Sequence, residues 1–149
     1  MAEDARYRTK VYLEDNITAA NLTDDNGDEV SWIVAYGWPE YPLAKVFNEM
    51  GVDLVFSVGE PESTALLDVD QVPHGYEESV PIEIGCIDKP SVTGTKLKWT
   101  AEAELRSVVE DWPTGSQRSL ERRGDRDRRL GSMKLYGTLF MLNYVRDTT

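Results

Sequence analysis

Few side chains in this sequence have the types and spacing that catalysis, metal binding or cofactor binding requires. His74 is the only histidine and Cys86 the only cysteine. His74 lies in a Pro-His-Gly turn, which is typical of a solvated loop histidine. Cys86 lies on the apolar side of a predicted strand, which favours an inert core thiol over a nucleophile. The sequence has no zinc-type Cys/His cluster and no glycine-rich phosphate loop, so we expect no metal, no cofactor and no enzymatic activity.

Carboxylates are the one abundant catalytic residue type. Asp68 and Asp70, with Glu77, Glu78 and Glu83, could be drawn together as a metal-dependent nuclease site. The chain contains 27 Asp and Glu, however, so such groupings arise by chance. We therefore expect Glu77 and Glu78 to lie at a strand edge or in a subunit contact.

Arginine is concentrated in one short segment of an acidic chain. The net charge is −11, yet residues 116–132 hold three acids and six arginines: Arg118, Arg122, Arg123, Arg126, Arg128 and Arg129. A solvated loop or β-hairpin tip, a phosphate-binding finger, and docking on the carboxylates of a neighbouring copy all remain open. The interleaved acids weaken the phosphate interpretation. The acidic body offers carboxylates on every copy, so we favour docking.

Hydrophobic periodicity predicts the elements that carry these residues. A weak helix runs from Arg6 to about Thr23, with Leu13, Ile17 and Ala20 on one face. Residues 31–38, 52–58 and 76–87 are predicted strands, and 52–58 alternates as a half-buried strand should.

The clearest helix follows the third of these strands. An apolar stripe recurs at helical spacing from residue 97 to residue 112, and Trp112-Pro113 ends it. Glu102 and Arg106 lie off the stripe and can pair at i, i+4.

The final strand, within residues 133–145, is apolar on both alternate faces. One set runs Leu135, Gly137, Leu139, Met141, Asn143, Val145, and the other runs Tyr136, Thr138, Phe140, Leu142, Tyr144. One face can pack under the helices, and the other is covered either by the chain's own helices or by a partner subunit. We predict Tyr136, Phe140 and Tyr144 as partner contacts.

These elements predict one domain over residues 1–149, with an arginine-rich loop or hairpin at 116–132. The expected fold class is α/β (α+β), with a mixed or antiparallel sheet of about four or five strands and helices mainly on one face. No apolar run is long enough to cross a membrane, so we expect no membrane partner and synthesis in the cytoplasm.

Three stretches together resemble a known family. They are GYEESVPIEI (75–84), TGTKLKWTAEAELRSVVE (93–110), and the pair GSQRSLERR (115–123) with LGSMKLYGTLFMLNYVRD (130–147). In order and spacing they resemble the tail-completion proteins of long-tailed phages and related archaeal viruses, which include tail terminators and head–tail joining proteins.

The resemblance implies a structural virion protein of the neck. Such proteins form a hexameric ring on the end of the tail tube, stop its polymerisation and meet the head connector or stopper protein. DNA passes through the lumen without being read. A head-side connector or stopper, and an accessory module that contacts DNA through the arginine loop, are the alternatives.

Overall fold

The computed structural model describes residues 5–37, 46–47, 49, 51–67, 70–71, 73–112 and 116–147. In this part of the chain two α-helices and seven strands occur, which confirms the α+β class. In chain order they are α1 (Ala5–Asn16), a 3-10 turn (Ala19–Asn21), β1 (Trp32–Tyr36), β2 (Leu54–Val58), β3 (Glu62–Leu67), β4 (Pro73–Ile87), α2 (Gly94–Glu110), β5 (Ser116–Asp125), β6 (Arg128–Leu130) and β7 (Met133–Asp147).

All the strands belong to one mixed sheet with the order β1-β2-β4-β7-β5. The pair β1 and β2 is parallel, and every other pair is antiparallel. The sheet has more strands than the four or five predicted. β3 adds a strand alongside β4, and residues 116–132 supply both β5 and β6 alongside β7.

The backbone of the sheet is a long ladder between β4 and β7. It runs from Gly75 opposite Asp147 to Ile87 opposite Leu135. Gly137 lies within it at a close approach, where an added Cβ would lie 2.7 Å from the carbonyl oxygen of Ile84 and 3.1 Å from that of Arg126. A larger residue at position 137 would therefore push these backbones apart.

Both helices pack on the same face of the sheet. The predicted stripe of α2 is buried, including Leu97, Ala101 and Leu105. It packs with α1 against one large cluster of strand side chains: Val34, Leu54, Phe56, Val58, Val80, Ile82, Ile84, Cys86, Phe140, Leu142 and Tyr144. None of the helices in the described ranges is long and apolar enough to cross a membrane.

The predicted helix at the start of the chain is shorter than expected. Leu13 and Ile17 are buried as predicted, but α1 ends at Asn16 and Ala20 is exposed. Arg6 holds α1 to the sheet, since its Nε donates to the carbonyl of Val58 at 3.0 Å.

The strand predicted at residues 52–58 is present as β2, but the prediction that it is half-buried is wrong. Every residue of β2 is buried, because the second face of the sheet has a small core of its own at this end. Val55 packs there against Val46, Phe47 and Leu135. β3 was not predicted at all, because its side chains are almost all exposed and show no apolar alternation.

Candidate assembly interface

The arginine-rich segment is a two-part edge strand of the sheet. We call residues 116–132 the arginine arm; its strands β5 and β6 both pair with β7, and Gly131, with φ of 63°, lies in the turn that leads into β7. The arm is kinked between its strands at residues 126–127. There the amide of Arg126 donates to the carbonyl of Gly137 at 2.7 Å, and Asp127 accepts from the amide of Gly137 at 3.1 Å. Gly137 thus fixes the kink through both of its backbone groups.

A buried lysine of α2 holds the kink from the helix side. Lys98 is only 5% exposed, and its Nζ lies 3.0 Å from Asp125 and 3.5 Å from Asp127. Burial acts to lower the pKa of Lys98, but the hydrogen bonds and charges of the two carboxylates outweigh it, so the pKa is raised. The hydrogen bond from Lys98, with that from Arg122, lowers the pKa of Asp125.

A second buried group lies one turn further along α2. Glu102 accepts from Arg122 Nε at 2.9 Å and from the hydroxyl of Thr138 at 3.0 Å. Arg122 also donates to Asp125 at 2.6 Å, which joins the two sets of contacts into one network. These hydrogen bonds raise the pKa of Arg122, which keeps its charge at all working pH values.

Sequence reasoning missed this network and gave Glu102 the wrong partner. Arg106 lies over the ring of Phe140 instead, at 5.2 Å from its centroid. Lys98 and Glu102 are four residues apart, and each directly follows a residue of the apolar stripe. They therefore share the side of α2 that faces the sheet edge. That spacing is the signal in the sequence, but the partners lie 20 or more positions away.

Glu102→Ala should strongly destabilise the fold. It leaves the Nε of Arg122 and the fully buried Thr138 hydroxyl without their acceptor, so the free energy of unfolding should fall by about 3 kcal/mol. Denaturant unfolding measures this, and Glu110→Ala at an exposed position of the same helix should change it by less than about 0.5 kcal/mol. Equal effects of the two variants would mean that the network does not fasten the arm.

The remaining arginines of the arm divide into paired and unpaired groups. Arg128 lies 2.5 Å from Glu83, and Arg123 lies 3.3 Å from Glu121. Arg118 donates to the backbone carbonyl of Glu110. Arg126 and Arg129 are exposed and form no ion pair with any residue that the structure describes. Part of the arginine cluster therefore holds the arm to its own chain, whereas Arg126 and Arg129 form no ion pair within the part of the chain that the structure describes.

The surroundings of Glu83, which pairs with Arg128, predict a pH-dependent contribution to the free energy of unfolding. Burial raises the pKa of Glu83 above its usual 4.5, and Arg128 and Arg126 offset only part of that rise. The folded state thus binds the proton of Glu83 more tightly than the unfolded state does, so the contribution of Glu83 to stability should fall as pH rises from about 4.5 through the folded pKa.

Glu83→Gln should remove that fall. The measurement is the free energy of unfolding between about pH 4 and pH 7, with the exposed Glu77→Gln as control. A pH profile of Glu83→Gln that runs parallel to the wild-type profile would contradict this assignment.

In the part of the chain that the structure describes, the second face of the sheet is only partly covered along β7 and the neighbouring part of β4. We call Pro81, Leu139, Met141 and Val145, with the hydrogen-bonded Ser79 and Asn143 between them, the open face. All six are partly exposed, and the described helices α1 and α2 both pack on the other side of the sheet. Among the described residues, Val46 and Phe47 cover the end of this face at Val55 and Leu135. The open face is continuous with the arm, because Arg126 lines the same depression as Pro81, Glu83 and Leu139.

This arrangement corrects the predicted partner contacts of β7. Phe140 and Tyr144 have no exposed surface, since they lie in the core under the helices. Tyr136 is half-buried on the same face, near the first residue of α2. The alternate set, Leu139, Met141 and Val145, faces away from the helices and is the set that a partner could cover.

The two acids predicted at a strand edge have different surroundings. Glu77 is exposed and lines a depression with Ser79 and Arg123. Glu78 is only 2% exposed, and Arg146 Nε lies 3.0 Å from its carboxylate. Glu78 is therefore part of the chain's own packing.

The described candidate catalytic groups offer no reactive or metal-binding cluster. Cys86 is fully buried, and burial raises its pKa, so the thiol stays neutral. Asp68 and the side chain of His74 lie outside what the structure describes. Among the residues that it does describe, no three His, Cys, Asp or Glu side chains could hold a metal ion.

No protein family matches this sequence, and no curated protein matches it either. What the described residues present is a partly exposed apolar sheet face beside an edge where Arg126 and Arg129 form no ion pair with a described residue.

Proposed function

We propose that this protein is a structural virion protein of the viral head–tail neck, which forms a ring on the end of the tail tube. The ring terminates tail assembly and joins the tail to the head. The observation that carries the proposal is the open face, because a sheet that leaves Leu139, Met141 and Val145 partly exposed gains stability when a partner covers it.

The distribution of charge supports contacts between identical copies. Arg126 and Arg129 of the arm form no ion pair with a described residue, whereas the whole chain has a net charge of −11. A basic edge on each copy and an acidic body on the next form a heterologous contact, which closes into a ring when the rotation between copies is suitable. We propose six copies, the number that the resemblance implies.

The same charge supports a passive relation to DNA. A strongly acidic surface repels the phosphate backbone, so DNA would pass through the lumen without adhering to the wall or being read. The partners along the virion axis are then the tail tube protein on one side and a head connector or stopper protein on the other. Localisation in the virion, after synthesis in the host cytoplasm, follows from this role.

A ring on the head side of the same neck, as connector or stopper, rests on the same open face and is the nearest alternative. A DNA-contacting accessory module is a second candidate, favoured by the exposed Arg126 and Arg129. It predicts that a labelled DNA duplex binds at low salt and is released steeply as salt rises. Arg126→Ala with Arg129→Ala should then abolish binding. No binding at low salt excludes that module.

Negative-stain electron microscopy of the concentrated protein tests the proposed role. We expect closed rings of uniform diameter with a lumen wide enough for a DNA duplex. Open filaments, solid particles or rings without a lumen would contradict a role at the end of a tail tube, even if the chain associates.

A further inference from the structure

Two positively charged side chains lie opposite each other on neighbouring strands at the tip of the arm. In the register of β6 and β7, Arg129 lies directly opposite Lys134. Both are exposed, and neither forms an ion pair with a described residue. Like charges directly opposite on neighbouring strands destabilise a hairpin. An anion placed between them would remove that cost.

An exposed acidic turn lies on the other flank of α2. Asp28 and Glu29 are exposed and have no ion pair with a described residue. The turn is held in shape, since Asp24 accepts from the backbone amides of Asn26 at 2.9 Å and Asp28 at 3.0 Å. Asp25 fastens it to α2 by accepting from the hydroxyl of Thr93 at 2.7 Å. Its carboxylates are therefore presented from a preorganised loop.

The two features lie at the same end of α2. Thr93 precedes the first residue of that helix and contacts the acidic turn. The carbonyl of Lys134 accepts from the amide of Asp88 at 3.1 Å, and the Asp88 carboxylate accepts from the amide of Gly94, the first residue of α2. The cation pair and the acidic turn are thus both beside the N-terminal end of the helix.

They are also on opposite sides of it. Lys98 and Glu102 point from α2 toward the arm, whereas Glu104 accepts from Asn21 on the segment that leads into the acidic turn. On a helix with 3.6 residues per turn, position 104 lies about 160° around the axis from position 102 and about 120° from position 98. Consider a ring whose axis runs parallel to α2. The cation pair of one copy and the acidic turn of the next would then lie at the same level along that axis, which a closed ring requires.

We propose that Arg129 and Lys134 of one copy receive Asp28 and Glu29 of the next copy, as the ionic contact that sets the rotation between subunits. This inference rests on the proposed ring and assigns its partner surfaces. We choose a second copy of this chain as the partner because its net charge is negative and therefore complements the two cations. The open face supplies the apolar part of the interface, and the ionic contact selects the neighbour.

Two charge-reversed variants and their mixture test this contact. Arg129→Glu with Lys134→Glu, and separately Asp28→Lys with Glu29→Lys, should each raise the concentration for half-assembly by about tenfold or more. Mixed in equal amounts, the two variants should assemble again. In an alternating ring with an even number of copies, every contact then joins opposite charges. Lys10→Glu with Arg106→Glu makes, on the helices, the same change of charge as the Arg129/Lys134 variant and should assemble as the wild type does.

The outcomes separate this contact from the ring itself. If the wild type forms rings and both variants also assemble normally, the contact is overturned and the ring remains. The same holds if the wild type forms rings but the mixture of the two variants fails to assemble. Normal assembly combined with loss of binding to a labelled DNA duplex would assign the cations to phosphate and also overturn it. A wild-type chain that stays monomeric overturns the ring and this contact with it. Unchanged thermal unfolding of each monomeric variant shows that assembly, not folding, was affected.

Discussion

Phe140→Ala should lower the free energy of unfolding by about 4 kcal/mol, whereas Met141→Ala should change it by less than about 1 kcal/mol. Phe140 is fully buried beneath the helices and has Arg106 over its ring, so its removal leaves a cavity in close-packed surroundings. Met141 is the next residue of the same strand and is partly exposed on the open face.

The neighbouring position serves as the control, since both substitutions remove a large side chain from the centre of β7. Denaturant unfolding of the monomer at low concentration gives both values. If Met141→Ala cost as much as Phe140→Ala, the open face would be covered within the single chain, and the basis for a partner on that face would be gone.

Leu139→Glu with Met141→Glu should prevent assembly at every concentration tested. The two carboxylates would lie in the centre of the proposed interface, where burying an unpaired charge costs several kcal/mol. In the monomer both positions reach solvent, so the chain should still fold. Sedimentation or light scattering measures the assembly, and circular dichroism measures the fold.

Ala103→Glu with Ser107→Glu adds the same charge at exposed positions on α2 and should assemble as the wild type does. Assembly by the Leu139/Met141 variant would show that the ring does not use the open face. Failure of both variants to assemble would assign the effect to added charge in general.

The sequence predicts the elements best where one face of an element is apolar and the other polar. The stripe of α2 was predicted from Leu97 onward, and the structure buries it. β7 is ambiguous for the opposite reason. Its two alternate sets are equally apolar, so the choice between Phe140 and Met141 as core residue depends on where the helices pack. Periodicity alone cannot provide that information.

The candidate interface could be predicted only in part. The arginine cluster is visible in the sequence. The sequence does not show which of these arginines form ion pairs within the described part of the chain and which do not. Arg122 is held by Glu102, which is 20 residues away, and Arg128 by Glu83, which is 45 residues away. Such pairs depend on tertiary contacts. The opposition of Arg129 and Lys134, in contrast, follows from the short turn at Gly131 once the arm is known to be a hairpin.

The central claim is that identical copies of this chain close into a ring. Native mass spectrometry over a series of protein concentrations tests it most directly. The account predicts a shift from the 16.8 kDa monomer to a single closed species, six times that mass, with no continuing series of larger species. A monomer at every concentration, or a ladder of masses that grows without limit, would contradict it.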